Sequence, residues 1–168
     1  VVTGAKLSDQ GVISVSLLSN EGCSGMSSIQ FTVNSLPDPQ LSASPICLGE
    51  DRILDHGLTN VQSVWDHGEN TNPITVTSAG LYRVTVTDAN NCVDESSVTL
   101  VVNNPPSFSL PSDQSLCLGD DYALSTGVNE LTHTHQWSGG STSTMADILV
   151  TSSGDYRVDV TEIATNCT

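Results

Sequence analysis

Positive charge is nearly missing from this chain. Four of its 168 residues are lysine or arginine, against 19 aspartates and glutamates, and the formal net charge is -15. Such a chain has little with which to neutralise phosphates, so no nucleic-acid partner is expected and anionic lipid is a poor one. Aromatic residues are scarce as well, at 4 %, too few for a broad platform that stacks on sugar rings. No apolar run approaches the roughly 20 residues of a membrane-spanning helix, which excludes direct insertion in that form. No Ser, His and Asp set recurs and no glycine-rich phosphate loop occurs, so the chain is not expected to be an enzyme. It begins at Val1, carries no signal sequence and reads as a piece of a longer polypeptide.

What is present is strand composition. Charged residues make up only 14 %, and Ser, Thr, Val and Gly are abundant. The acidic residues are scattered rather than gathered in a tail, which reads as a solvated surface. The length suits one or two ordinary domains.

The chain repeats itself. "ICLGEDRIL" (46–54) returns as "LCLGDDYAL" (116–124), and "VWDHGENT" (64–71) as "QWSGGSTS" (136–143). "GLYRVTVTDANNC" (80–92) returns as "GDYRVDVTEIATNC" (154–167), and a fainter copy precedes both, "GVISVSLLSNEGC" (11–23). The spacing grows slowly from 70 to 74, as small loop insertions would make it. "SSIQFTVN" (27–34) likewise matches "SSVTLVVN" (96–103). The expected organisation is therefore the C-terminal part of one repeat over 1–36, a complete repeat over 37–104, and a third over 105–168 that lacks its last strand. Pro-rich linkers, "LPDPQ" and "NNPPS", mark the boundaries.

Within each copy, apolar and polar residues alternate. Tyr82, Val84 and Val86 share one face of a strand. Tyr156, Val158 and Val160 repeat that face, as do Ile13, Val15 and Leu17. Val98, Leu100 and Val102 form the next strand, with Ile29, Phe31 and Val33 as counterparts, and Ile74 with Val76, or Ile148 with Val150, form the one before. Short strands, turn signals between them and no helical period predict an all-β sandwich.

A Tyr two residues after Gly, at Tyr82 and Tyr156, and an earlier Trp, at Trp65 and Trp137, resemble the tyrosine corner and core tryptophan of immunoglobulin-like domains. Ile13 stands at the Tyr position of the first copy. In such a sandwich the "CLGED" turn and the turn before the last strand lie at one end. The resemblance thus implies Cys47–Cys92 and Cys117–Cys167 bonds, each stapling one end of a sandwich and worth about 3–4 kcal/mol. Cys23 would find its partner upstream. The five cysteines imply an oxidising compartment. The expected fold is all-β: tandem immunoglobulin-like β-sandwich repeats, each with a disulfide stapling one end.

The ordered set of Pro-rich linker, "CLGED" or "CLGDD", "VW" or "QW", "SAGLYRVTVTDANNC" and a final alternating strand resembles the immunoglobulin-like and PKD-like repeats of large secreted surface proteins of Bacteroidota, gliding-motility-associated adhesins among them. The resemblance spans almost the whole chain. It implies export, an extracellular location at the cell surface, and display as a stalk or filament. "EGC", "NNC" and "TNC" depart from one another around an Asn-Gly-Cys turn.

Few residues offer chemistry. Carboxylates cluster near repeat ends, at Glu50 and Asp51, Asp120 and Asp121, Asp88, Asp94, Glu95 and Asp38. Calcium takes six to eight oxygen ligands, and carboxylates at domain junctions can supply them; otherwise no cofactor is expected. The competing reading is solvated loop carboxylates, since no EF-hand-type ligand loop occurs. His133 and His135 share a strand face and can hold a metal, but the matching stretch of the other repeat has Gln62 and Val64. His56 and His67 stand alone and read as surface residues. Trp65 and Trp137 read as core rather than as sugar-stacking platforms. "NCT" (166–168) matches a glycosylation sequon too cheap to carry weight.

The expected function is structural: a segment of an extracellular stalk, adhesin or filament whose partners are neighbouring repeats and, in a filament, other copies. The alternatives are a carbohydrate-binding accessory module of a secreted enzyme, or a protomer assembled by strand donation. The last would complete the first copy, which lacks its early strands and at about 36 residues cannot bury a core alone, and the third, which lacks its final strand; the competing reading is that these are the ends of one piece of a long chain.

Overall fold

The computed structural model describes residues 4–168, so the first three residues of the expected 1–36 segment lie outside it. The protein is all-β. Its strands in chain order are β1 (Gly11–Leu18), β2 (Ser24–Phe31), β3 (Ile46–Cys47), β4 (Arg52–Leu54), β5 (Gln62–Trp65), β6 (Ile74–Val76), β7 (Gly80–Thr87), β8 (Val93–Leu100), β9 (Val102–Asn103), β10 (Tyr122–Ser125), β11 (His133–Gly139), β12 (Asp147–Val150) and β13 (Tyr156–Glu162). Among the described residues there is no α-helix, and no helix long and apolar enough to cross a membrane.

The strands form small sheets: β1–β2, β3–β9, β4–β6, β5–β7–β8, β10–β12 and β11–β13. Two compact units contain them, each discontinuous in sequence. One comprises Val1–Ser42, Asp55–Ile74 and Tyr82–Val98; the other comprises Ala43–Leu54, Thr75–Leu81 and Thr99–Thr168.

In the first unit β5 pairs antiparallel with β7, with Trp65 opposite Val84. Period-two alternation does what it predicts on β7: Tyr82, Val84 and Val86 are buried beside Trp65. The indole N–H of Trp65 donates to the Thr71 carbonyl, 2.9 Å away, so the buried ring leaves no orphan donor. The same unit holds the β1–β2 hairpin, in register from Gly11 opposite Phe31 to Leu18 opposite Ser24. All sixteen of its residues are exposed. The alternation of Ile13, Val15 and Leu17 is therefore real, but its face is uncovered.

In the second unit β10 pairs with β12 and β11 with β13, both antiparallel. Side chains from both ladders meet in one buried cluster of Trp137, Ile148, Val150, Val158 and Val160. Trp137 donates its indole N–H to the Met145 carbonyl at 2.8 Å, the counterpart of the Trp65 bond. Tyr156 donates its hydroxyl to the carbonyl of Ser152, four residues upstream, at 3.1 Å. Here too β3 pairs parallel with β9, Ile46 opposite Val102 and Cys47 opposite Asn103.

Candidate functional site

The cysteine turns are built the same way in every copy. Asp88 N–H donates to the Cys92 carbonyl at 3.0 Å, Ser19 N–H to that of Cys23 at 2.8 Å, and Glu162 N–H to that of Cys167 at 2.9 Å. The residue before each cysteine, Gly22, Asn91 or Asn166, has φ of 85°, 62° or 60°. Only Gly and Asn take that left-handed backbone readily, which explains how "EGC", "NNC" and "TNC" differ in letters yet make one turn. The "CLGED" and "CLGDD" turns match as well. Glu50 accepts from Cys47 N–H at 2.9 Å and Asp120 from Cys117 N–H at 3.3 Å, while Glu50 and Asp120 N–H groups donate back to the Cys47 and Cys117 carbonyls.

The disulfide departs from the expected pairing. Cys47 bonds Cys167, with Cα atoms 5.5 Å apart, across 120 residues. Cys92 and Cys117 are free thiols, as is Cys23, so neither Cys47–Cys92 nor Cys117–Cys167 forms. A disulfide needs its Cα atoms within about 7 Å, and what meets Cys47 is the turn at the end of β13. Both sulfurs lie in the second unit, whereas Cys92 belongs to the first. The bond thus links the "CLGED" turn of one copy to the Asn-Cys turn of the next.

The carboxylates singled out for calcium have local work. Those of Glu50 and Asp120 close their own turns, and Asp51 and Asp121 follow in exposed positions. Among the described residues no three His, Cys, Asp or Glu side chains gather as a metal group. Asp88 accepts from Cys92 N–H at 2.8 Å and from Asn90. The Cys92 bond, with Asn90, holds its carboxyl below the ordinary value. The backbone N–H of Gly57 and then the Asn72 amide do the same for Asp55.

The histidines hold what the sequence concealed. His56 is no surface residue: it is 1 % exposed. Its Nδ1 accepts from Leu58 N–H, so the ring proton sits on Nε2, which donates to Ser63 Oγ at 2.8 Å. In the other repeat, Thr126 Oγ1 meets Nε2 of buried His135 at 3.0 Å and accepts from Val128 N–H. Thr126 is the counterpart of His56, and His135 that of Ser63, so the two repeats have exchanged the partners of one buried hydrogen bond. His133 lies two residues from His135, but its Nδ1 meets the Thr132 hydroxyl while His135 turns inward. The exchange is visible at offsets of 70 and 72 once both positions are known to be buried. His67 is half exposed, stacks on the Tyr82 ring at 4.7 Å between centroids, and lies 2.7 Å from Asp66.

The recurring geometry is of cores, corners and turns. No protein-family model matches the chain, and no curated protein sequence matches it.

Proposed function

We propose that this chain is a structural segment of an extracellular cell-surface stalk, adhesin or filament built of tandem immunoglobulin-like repeats, with residues 37–104 and 105–168 as successive modules and 1–36 as the end of an earlier one. The observation that carries the reading is recurrence at matched positions. The indole-to-carbonyl bond, the buried histidine–hydroxyl pair, the reciprocal Cys–carboxylate turn and the left-handed Asn-Cys turn each occur twice, about 70 residues apart. Repeated modules in line suit a spacer, which carries tension and distance rather than chemistry. The disulfide favours an oxidising compartment. Both indoles are buried, which counts against the carbohydrate-binding alternative.

Fractionation of the natural source tests this. A stalk segment is recovered with the cell envelope or the medium, in a polypeptide or assembly much larger than 168 residues. Recovery as a free chain of this size in the cytoplasm would overturn the proposal.

A further inference from the structure

The cysteine turns are of two kinds, and each kind recurs with one geometry. In the Cys-Leu-Gly turns, Gly49 and Gly119 have φ of 98° and 96°, and the N–H groups of Glu50 and Asp120 both donate to the carbonyl of their cysteine at 3.0 Å. In the Asn-Cys turns, Asn91 and Asn166 have φ of 62° and 60°. The bonded pair, Cys47 and Cys167, takes one turn of each kind. The remaining thiols are one Cys-Leu-Gly turn, at Cys117, and two turns of the other kind, at Cys23 and Cys92. Cys23 and Cys117 are exposed and Cys92 is half-buried, so a partner can reach all three.

The two kinds of turn lie at opposite ends of a copy. In residues 105–168, Cys117 borders one cavity with Asp155 and Tyr156, at the start of β13. Cys167 belongs to the turn that follows Glu162, at the end of β13. Seven residues of strand span about 20 Å, and a disulfide needs its Cα atoms within about 7 Å. A bond inside that copy is out of reach. Between copies the two kinds meet: Cys47 lies opposite Asn103, where the second copy gives way to the Pro-rich linker, and its partner is the turn after β13 of the third.

We propose that this bond is the rule at every junction of the parent chain. Cys117 is bonded to the Asn-Cys turn of the copy that follows residues 105–168, and Cys92 to the Cys-Leu-Gly turn of the copy that ends at Asn34. Cys23 plays the part of Cys92 one junction earlier. The partner of each cysteine is thus set by the kind of its turn and by its place along the chain. In each bond two thiols give up two protons and two electrons; the disulfide of an oxidoreductase or of a small thiol accepts them and leaves as two thiols. Cys117 lies inside the 120-residue loop that Cys47–Cys167 closes, so the next bond overlaps this one and successive junctions are locked to each other. The inference rests on the stalk-or-filament reading and assigns what holds its modules in line.

Two measurements decide it. In the 168-residue chain, Cys47→Ser leaves Cys167 without its partner. After folding in a glutathione redox buffer, peptide mapping should find Cys117 and Cys167 unlinked to each other; a Cys117–Cys167 bond overturns the proposal. The second measurement maps the natural polypeptide without reduction. The Cys117 peptide should be linked to one whose cysteine follows Asn or Gly, and the Cys92 peptide to one that carries Cys-Leu-Gly, both from copies other than residues 37–168. Cys92 bonded to Cys47 or Cys117, or either cysteine recovered alkylated, overturns it. Wrong pairs in a large envelope-bound polypeptide remove the clamp and leave the stalk reading standing. Failure of the stalk reading itself shows instead in where the polypeptide is recovered and at what size.

Discussion

Breaking the Cys47–Cys167 bond should release about 420 Å of chain to a pulling instrument, because the bond hides 120 residues and an extended residue spans about 3.5 Å. Tethered at its two ends and oxidised, the protein can extend only through the residues outside that loop. Adding a reductant under tension should release the hidden length in a single step. The tandem pairing read from the sequence gives a different record. Cys47–Cys92 and Cys117–Cys167 close 45 and 50 residues, so reduction would give two steps of about 160 and 175 Å. The stability change is also calculable. Closing a 120-residue loop removes about 5 kcal/mol of unfolded-chain entropy, so Cys167→Ser should lower the unfolding free energy by a figure of that order. Peptide mapping without reduction complements both, with Cys23, Cys92 and Cys117 alkylated and Cys47 and Cys167 protected. Two short steps, or no change with reductant, would refute the clamp between successive copies.

Other perturbations read the cores. Ser63→Ala leaves the buried Nε2–H of His56 without an acceptor and should cost about 1–3 kcal/mol in chemical denaturation. The double change His56→Thr with Ser63→His installs the partners used by the other repeat and should recover most of that loss; no recovery would mean the two pairs are not equivalent. Trp137→Ala empties the centre of its cluster and should cost about 3–5 kcal/mol, whereas Trp137→Phe should cost less and mainly through the unpaired Met145 carbonyl. The folded value of Asp88 lies below its unfolded one, so its contribution is present above the unfolded value and is lost as pH falls through the folded one. The protection of the Asn90 and Cys92 amides, measured against their intrinsic exchange rates at the same pH, should therefore fall at acid pH, and Asp88→Asn should remove that acid response.

Much of the strand pattern was legible because a half-buried strand must alternate. Tyr82, Val84 and Val86, and likewise Val158 and Val160, were placed on inward faces by period alone, and they are buried. The same period on Ile13, Val15 and Leu17 said which side is apolar and nothing about whether a second layer covers it. Polar burial was less legible. His56 carries no periodic signal and lies in a stretch rich in polar and turn residues, so its burial depends on Ser63 arriving from β5. Disulfide pairing is set by which turns meet in space. The likeness to an immunoglobulin-like sandwich implied bonds within each copy, yet the turns that approach belong to different copies.

The central claim is display outside the cell, and protease treatment of intact cells of the natural source tests it most directly. Peptides from loops of residues 37–168 should appear in the supernatant while the cells remain whole. If those peptides are released only after lysis, the chain is not a surface stalk, and the account of its function is wrong.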